Sequence, residues 1–414
     1  MRLARRRPNA IHDHLRPHRW RDSTLTRLVS SSRHPTHEER AINARVPVLG
    51  PLSPFARTAV IAILATSALA IALEVAIHAD ATLIFLVSAV AILGLAWVVG
   101  LATERLGEIT GPQLGGVLNA TFGNIAELII AFFALQAGLF EVVKASLTGS
   151  IIGNLLLVLG ASVLLGGFRN GVQTFSPRVA GMNASLLVLA ALGLFVPAVF
   201  AFASGGAGAI SGETRPSGSI VEESALIAIL LIAGYVLSIV FQILNPHESL
   251  GAAGPVEHAG PVWSTGTAVV VLLAAAALLA VLSEILVGSI EPFVKATGLS
   301  ELFIGVVLIP TIGNLAEHIV SVQLAWKNKM EFAMAVCYGS SLQVALFVAP
   351  VLVLLGTLIG QPMDLVFTPL EVAAVAGAVG ISALIALDGE SNWLEGALLM
   401  IIYAILAISF YELR

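Results

Sequence analysis

Gly123-Asn124-Ile125-Ala126-Glu127 returns 190 positions later as Gly313-Asn314-Leu315-Ala316-Glu317, and each copy sits in the middle of a long apolar stretch. A carboxylate near the centre of a bilayer costs roughly 2.5–3.5 kcal/mol even on the most lenient scale. Two of them, each beside an amide and a helix-loosening glycine, point to a binding site for a hard cation built from two related halves. The match runs outward from the motif without a gap. Thr121 meets Thr311, Gly149-Ser150 meets Gly339-Ser340, and Val158 meets Val348.

The surrounding chain is a membrane protein by composition. Of 414 residues, 57% are hydrophobic and 11% charged, which excludes a soluble domain. Apolar stretches of about 20 residues, enough to cross ~30 Å of hydrocarbon as helix, recur from Thr58 to Phe410. Eleven spans are expected, at 58–79, 81–103, 112–137, 142–167, 179–204, 222–245, 264–290, 299–326, 332–358, 365–387 and 392–411. The runs are continuous and lack ten-residue alternation, so the expected fold is an all-α polytopic membrane protein, not a barrel.

The first motif falls on the third span and the second on the eighth, an odd number of crossings apart, so the two copies run in opposite directions. This is the inverted-repeat plan of secondary transporters, with the site at the midplane. The expected organisation is an Arg-rich disordered tail over 1–55, an extra first helix over 56–80, and a first five-helix repeat over 81–245. A Gly-, Pro- and Ala-rich linker over 246–263 then leads to a second repeat over 264–414.

Charge sets the expected orientation. Eleven of the 21 basic residues, all arginine, precede position 50. With the N-terminus cytoplasmic, Arg57, Arg105, Arg169, Arg178, Lys327 and Lys329 join them inside, against Lys144, Arg215, Lys295 and Arg414 outside. The positive-inside rule therefore favours N-in, C-out. The tail has no apolar run long enough for a signal peptide; it reads as a topogenic segment or a contact for anionic lipid. The single cysteine, Cys337, excludes a disulfide framework and reads as a small core residue.

Thr121, Asn124 and Glu127 are spaced i, i+3, i+6, as are Thr311, Asn314 and Glu317, so each trio is expected to form an oxygen-bearing stripe on one helix face. Gly123, Gly313 and Pro310 lie within the stripes and free backbone carbonyls. Carboxylate, amide and carbonyl oxygens without thiols describe a calcium-type site, not a zinc or copper one. The expected metal ligands are Glu127, Glu317, Asn124 and Asn314. Two glutamates carry a charge of −2, which matches one divalent cation; without it they repel, and protons take its place. Groups that hold either cargo but are costly to leave bare are the basis of an exchanger.

Around these lie further polar residues in apolar helices. Ser150 and Asn154, and Ser340 and Gln343, are candidates for an ion pathway or for interhelical hydrogen bonds that pack the bundle. Glu104 and Glu284 are candidate relays, Glu284 lying deep in its span and Glu104 near the interface. His318 adjoins Glu317 but points about 100° away on a helix, which suits packing or proton traffic better than ligation. Glu74, His78 and Asp80 are expected to be solvated at an outer face, and Asp388, Glu390 and Glu395 to flank a solvated inner turn.

Taken together, the chain resembles the CAX family of calcium/proton antiporters, within the calcium/cation antiporter superfamily. The resemblance is carried by 115–129, which holds the first motif, and by Ile309-Pro310-Thr311-Ile312-Gly313-Asn314-Leu315-Ala316-Glu317-His318 followed by Lys327-Asn328-Lys329. Supporting stretches are Gly149-Ser150 to Gly160, Ser283-Glu284 to Glu291, Gly339-Ser340 to Pro350, and Asp388 to Gly396. It implies calcium extrusion from the cytosol driven by protons, with Glu127 and Glu317 binding the cation. It also implies a multi-pass protein of a prokaryotic inner membrane. The Gly-Thr-Ser-x-Pro-Glu-like repeats of sodium/calcium exchangers are absent, which disfavours sodium coupling. The family's linker is usually strongly acidic, whereas this one holds only Glu248 and Glu257.

The expected partners are therefore Ca2+ and protons as substrates and the lipid bilayer, with no cofactor and no nucleic acid; a homo-oligomer is compatible with this reading. A Na+/cation exchanger and a passive cation channel are the alternatives that would use the same acidic site. An intramembrane enzyme is not expected, since no His-Glu-x-x-His motif or serine–histidine pairing accompanies Glu317-His318.

Overall fold

The computed structural model describes residues 52–111, 115, 117, 118, 121–203, 218–245 and 263–413. They are almost entirely helical. In chain order the main helices are α1 (Pro54–Ile77), α2 (Ala81–Thr110), α3 (Ile125–Gln136), α4 (Phe140–Asn170), α5 (Pro177–Ala203), α6 (Gly218–Leu244), α7 (Thr265–Gly288), α8 (Glu301–Trp326), α9 (Met330–Leu358), α10 (Pro369–Ile385) and α11 (Trp393–Glu412). Among the described residues, nine of these are long and apolar enough to cross a membrane; α3 and α10 are shorter apolar helices. Nearly all the expected tail and the linker residues 246–262 lie outside the described residues.

The helix starts follow from local chemistry. Asp80 accepts from Thr82 N–H to cap α2, and Ser264 accepts from Thr267 N–H to cap α7. Thr368 with Glu371, and Asn392 with Glu395, form reciprocal capping boxes that start α10 and α11. α10 begins at Pro369, later than the apolar run suggests, because the preceding segment is already engaged. Its Leu365 N–H goes to Ser224 Oγ at 3.0 Å and its Val366 N–H to Asp364 Oδ1 at 2.9 Å.

Widened π-helical turns interrupt α4 at Gly153–Val158, α8 at Ile304–Leu308 and α9 at Val344–Val348. In α8 and α9 a proline follows directly, at Pro310 and Pro350. A helical proline lacks the N–H and its ring crowds the carbonyl four residues back, and a wide turn at that place relieves both.

Where α4 crosses α8 the backbones touch. A Cβ on Gly149 would lie 2.2 Å from Val306 O, and one on Gly305 would lie 2.4 Å from Ala145 Cβ. Only glycine permits this approach, and it places Ser150 against the second motif.

The connections at the two ends are also tied. At one end, Lys144 pairs with Asp364 and donates to Val366 O at 3.0 Å. At the other, Gln173 donates to Ala325 O at 2.8 Å and to Asn328 Oδ1 at 3.1 Å. There a two-residue strand pair, β1 (Gln173–Thr174) with β2 (Glu390–Ser391), joins the α4–α5 and α10–α11 connections.

Candidate cation site

The first motif does not form the single helical stripe expected of it. The chain turns at Gly123-Asn124, and Asn124, at φ −99° and ψ 23°, becomes the residue from which α3 starts. Glycine is permissive there, and asparagine competes with helical bonding, which is why the break falls at this dipeptide. The consequence is electrostatic. Glu127 lands in the first turn of α3, where the aligned peptide dipoles favour a negative charge. In the second copy the motif stays within α8, its helix having already been widened upstream of Pro310.

Glu127 is 7% exposed, and neither of its carboxylate oxygens has a hydrogen-bond donor. It is seated against the other motif. A Cβ on Gly313 would stand 3.0 Å from Glu127 Cγ and 3.2 Å from Oε1. The glycine of one copy thus makes room for the glutamate of the other. On α8, Asn314 is buried and Glu317 half-buried. Asn314 Oδ1 and Glu317 Oε2 are buried oxygens that also lack a donor. Glu317 follows Gly313, which Glu127 touches, by about one helical turn.

The amide groups are held by the helices that follow each motif helix. Ser340 Oγ donates to Asn124 Oδ1 at 3.2 Å, and Asn154 Nδ2 donates to Ser340 Oγ at 2.9 Å. Asn124 Nδ2 donates to Gln343 Oε1. Asn314 Nδ2 donates to Ser150 Oγ at 3.3 Å. Both ends of the Asn124 amide are therefore engaged by protein, whereas Asn314 keeps a carbonyl oxygen that faces no donor. Ser150, Asn154, Ser340 and Gln343 are all brought together with the motif residues.

Four buried oxygens without donors, Glu127 Oε1 and Oε2, Asn314 Oδ1 and Glu317 Oε2, are contributed by both motif copies. A buried polar atom left unsatisfied costs about 1–3 kcal/mol, and more when charged. Carboxylate and amide oxygens of this kind are the donors that a hard cation takes. Cys337 is buried within 3.2 Å of Ser321 Oγ, as a core residue would be. Among the described residues no group of three or more His, Cys, Asp or Glu that could hold a metal ion converges.

Several expected residues make no hydrogen bond to the motif amides among the described residues. Thr121 is exposed, and its hydroxyl donates to Val117 O at 2.8 Å; Thr311 likewise donates to Val307 O at 2.7 Å. Glu104 and Glu284 are exposed on α2 and α7, and Glu284 lies near the end of its helix, not deep within it. His318 is half-buried on α8. Asp80 and Glu395 serve as helix caps, and Asp388 accepts from Glu390 N–H at 3.1 Å.

A second polar group escaped the sequence reading: the buried Thr148, Asp364 and Glu371 with the half-buried Lys144. Its one legible trace was the Thr368-Pro369-Leu370-Glu371 capping pattern.

The model of the sodium/calcium exchanger protein family matches the chain in two segments, 80–244 and 267–411. A Ca(2+)/H(+) antiporter of Synechocystis sp. is 45% identical over 358 residues, covering 80% of this chain and 91% of that protein. A Ca(2+)/H(+) antiporter of Aphanothece halophytica is 43% identical over 350 residues, covering 81% of this chain and 91% of that protein. Among solved structures, native YfkE superposes with a TM-score of 0.73 at 38% identity, covering 86% of this chain and 99% of that one.

Proposed function

The chain belongs to the sodium/calcium exchanger protein family, among its calcium/proton antiporters, and we propose that it exports Ca2+ from the cytosol in exchange for protons at a site formed by both Gly-Asn-x-Ala-Glu segments. One observation carries the site: four buried oxygens from the two motif copies face no donor. The Ca2+/H+ exchange itself is supported by what the relatives are named.

The chemistry follows from charge. Glu127 and Glu317 together neutralise one divalent cation, supplemented by Asn314 Oδ1 and backbone carbonyls. When the cation leaves, two carboxylates facing one another in low dielectric are costly to keep bare, and protons replace it. The loaded and protonated forms are close to neutral and pass between inward- and outward-facing states; the bare form is held back.

In this reading eleven crossings arrange helix one and two inverted repeats, over 81–245 and 264–414, with the N-terminus cytoplasmic and the C-terminus outside a prokaryotic inner membrane. Two features support the repeat. α4 and α9 widen at matching places, and the Asn–Ser bonds are reciprocal between halves.

The test is calcium-driven proton movement in proteoliposomes, run also with manganese and sodium. Calcium flux should require a counter-movement of protons, and should not be supported by sodium. Flux that continues with no proton exchange would indicate a passive channel instead.

A further inference from the structure

We propose that Glu371 is a proton-carrying carboxylate of the exchange cycle, linked to the cation site through α4; this rests on the antiport reading above. Glu371 is 2% exposed, in the first turn of α10. Its Oε2 accepts from Thr368 N–H at 2.9 Å and from Thr368 Oγ1 at 2.8 Å. Its Oε1 lies 3.0 Å from Thr148 Oγ1 on α4.

The Thr148 hydroxyl has one proton and three oxygens within reach: Glu371 Oε1, Ala145 O at 3.0 Å and Lys144 O at 3.2 Å. With Glu371 ionised, that proton points to Oε1. With a proton on Oε1, the carboxyl donates to Thr148 Oγ1, whose own proton turns to the Ala145 carbonyl. Neither state leaves a carboxyl oxygen without a partner. Helix capping through Oε2 alone requires no such rotor.

Charge points the same way. Lys144 on α4 pairs with Asp364, which precedes α10. With that pair neutral, an ionised Glu371 leaves the buried cluster one negative charge in excess, and a protonated one leaves it balanced. Three other charged or titratable groups lie near α10. Glu223 on α6 adjoins Ser224, which holds Leu365 N–H. Tyr338 on α9 donates to Ser382 O about three turns further along α10. Arg178, on α5, lies at the far end of α10, where Gly389 meets Pro177.

α4 joins this group to the cation site. Thr148 faces Glu371 while Ser150, about 3 Å further along the same helix, accepts from Asn314. Proton transfer between water and Glu371 therefore changes the bonding of the helix that positions a motif amide.

The full chain in proteoliposomes gives three readings: calcium–calcium exchange with radioactive calcium, calcium–proton exchange, and the pH profile of the latter. A wild-type protein without calcium–proton exchange would refute the antiport reading itself. With that exchange present, Glu371→Gln should keep calcium–calcium exchange within about twofold, lower proton-driven flux about tenfold or more, and shift the pH profile. Thr148→Val, which keeps the shape but removes the rotor, should shift the profile with Glu371 intact. A Glu371 that only caps α10 predicts otherwise: Glu371→Gln and Thr368→Ala would lower both exchange modes together and leave the profile in place. That result overturns the proposal, as does an unmoved profile in Thr148→Val should Glu371→Gln fail to fold.

Discussion

Ser340 donates to Asn124 at 3.2 Å, and moving both residues by 190 positions along the chain yields the bond between Asn314 and Ser150, at 3.3 Å, with the roles of the two halves exchanged. Each motif amide is thus held by the helix that follows the other motif. The halves cannot separate at this layer without breaking both contacts.

The two asparagines nevertheless differ. Asn124 is bonded at both ends of its amide, while Asn314 Oδ1 has no donor. Asn314→Ala is expected to raise the half-saturating calcium concentration about tenfold, the loss of one ligand oxygen at roughly 1.4 kcal/mol. Asn124→Ala should act mainly on packing and lower the folded yield more than the affinity. Initial uptake rates against calcium, alongside detergent-extracted yield, separate the two; equal losses of affinity would contradict the asymmetry.

Gly313 touches Glu127 closely enough that its substitution reports on the carboxylate. Gly313→Ala places a methyl 3.0 Å from Glu127 Cγ, which pushes the side chain by a few tenths of an ångström. Weaker calcium binding is expected, and Gly313→Val should abolish transport while leaving extractable protein. Normal half-saturation in Gly313→Val would show that Glu127 is not held at the site by this contact.

Gly149 tests the α4–α8 crossing. A Cβ there would meet backbone, 2.2 Å from Val306 O, which cannot rotate away as a side chain can. Gly149→Ala is expected to destabilise the protein by about 1–3 kcal/mol, as overpacking does. The check is the melting temperature in detergent, followed by gel filtration; an unchanged value would mean that the helices cross further apart.

In the proposed site protons and calcium compete for the same two carboxylates, which sets the sign of the pH dependence. Where binding one cation releases two protons, lowering the pH by one unit raises the apparent dissociation constant up to about a hundredfold. Calcium binding measured at a series of pH values should weaken steadily on acidification. A pH-independent affinity would separate the proton sites from the cation site.

The polytopic helical fold and the paired motif were legible because both rest on local signals: apolar length, and buried carboxylates that nothing else explains. The stripe of Thr121, Asn124 and Glu127 was misread because spacing alone does not reveal that Gly123-Asn124 breaks a helix where Gly313-Asn314 does not. In the second copy the motif stays within α8, downstream of the widened turn at Ile304–Leu308. Glu284 was read as deep although its expected span, 264–290, already ended six residues beyond it, close to the observed end at Gly288. The Lys144–Asp364 pair joins residues 220 positions apart, so only the folded chain brings it into view.

The most direct test of the two-halves site is transport by Glu127→Gln and Glu317→Gln in proteoliposomes, each measured as calcium-driven proton movement. Each change removes one of the two charges that balance a divalent cation, and both variants are expected to lose exchange while remaining folded. Normal calcium–proton exchange in either variant would contradict a site that needs both glutamates.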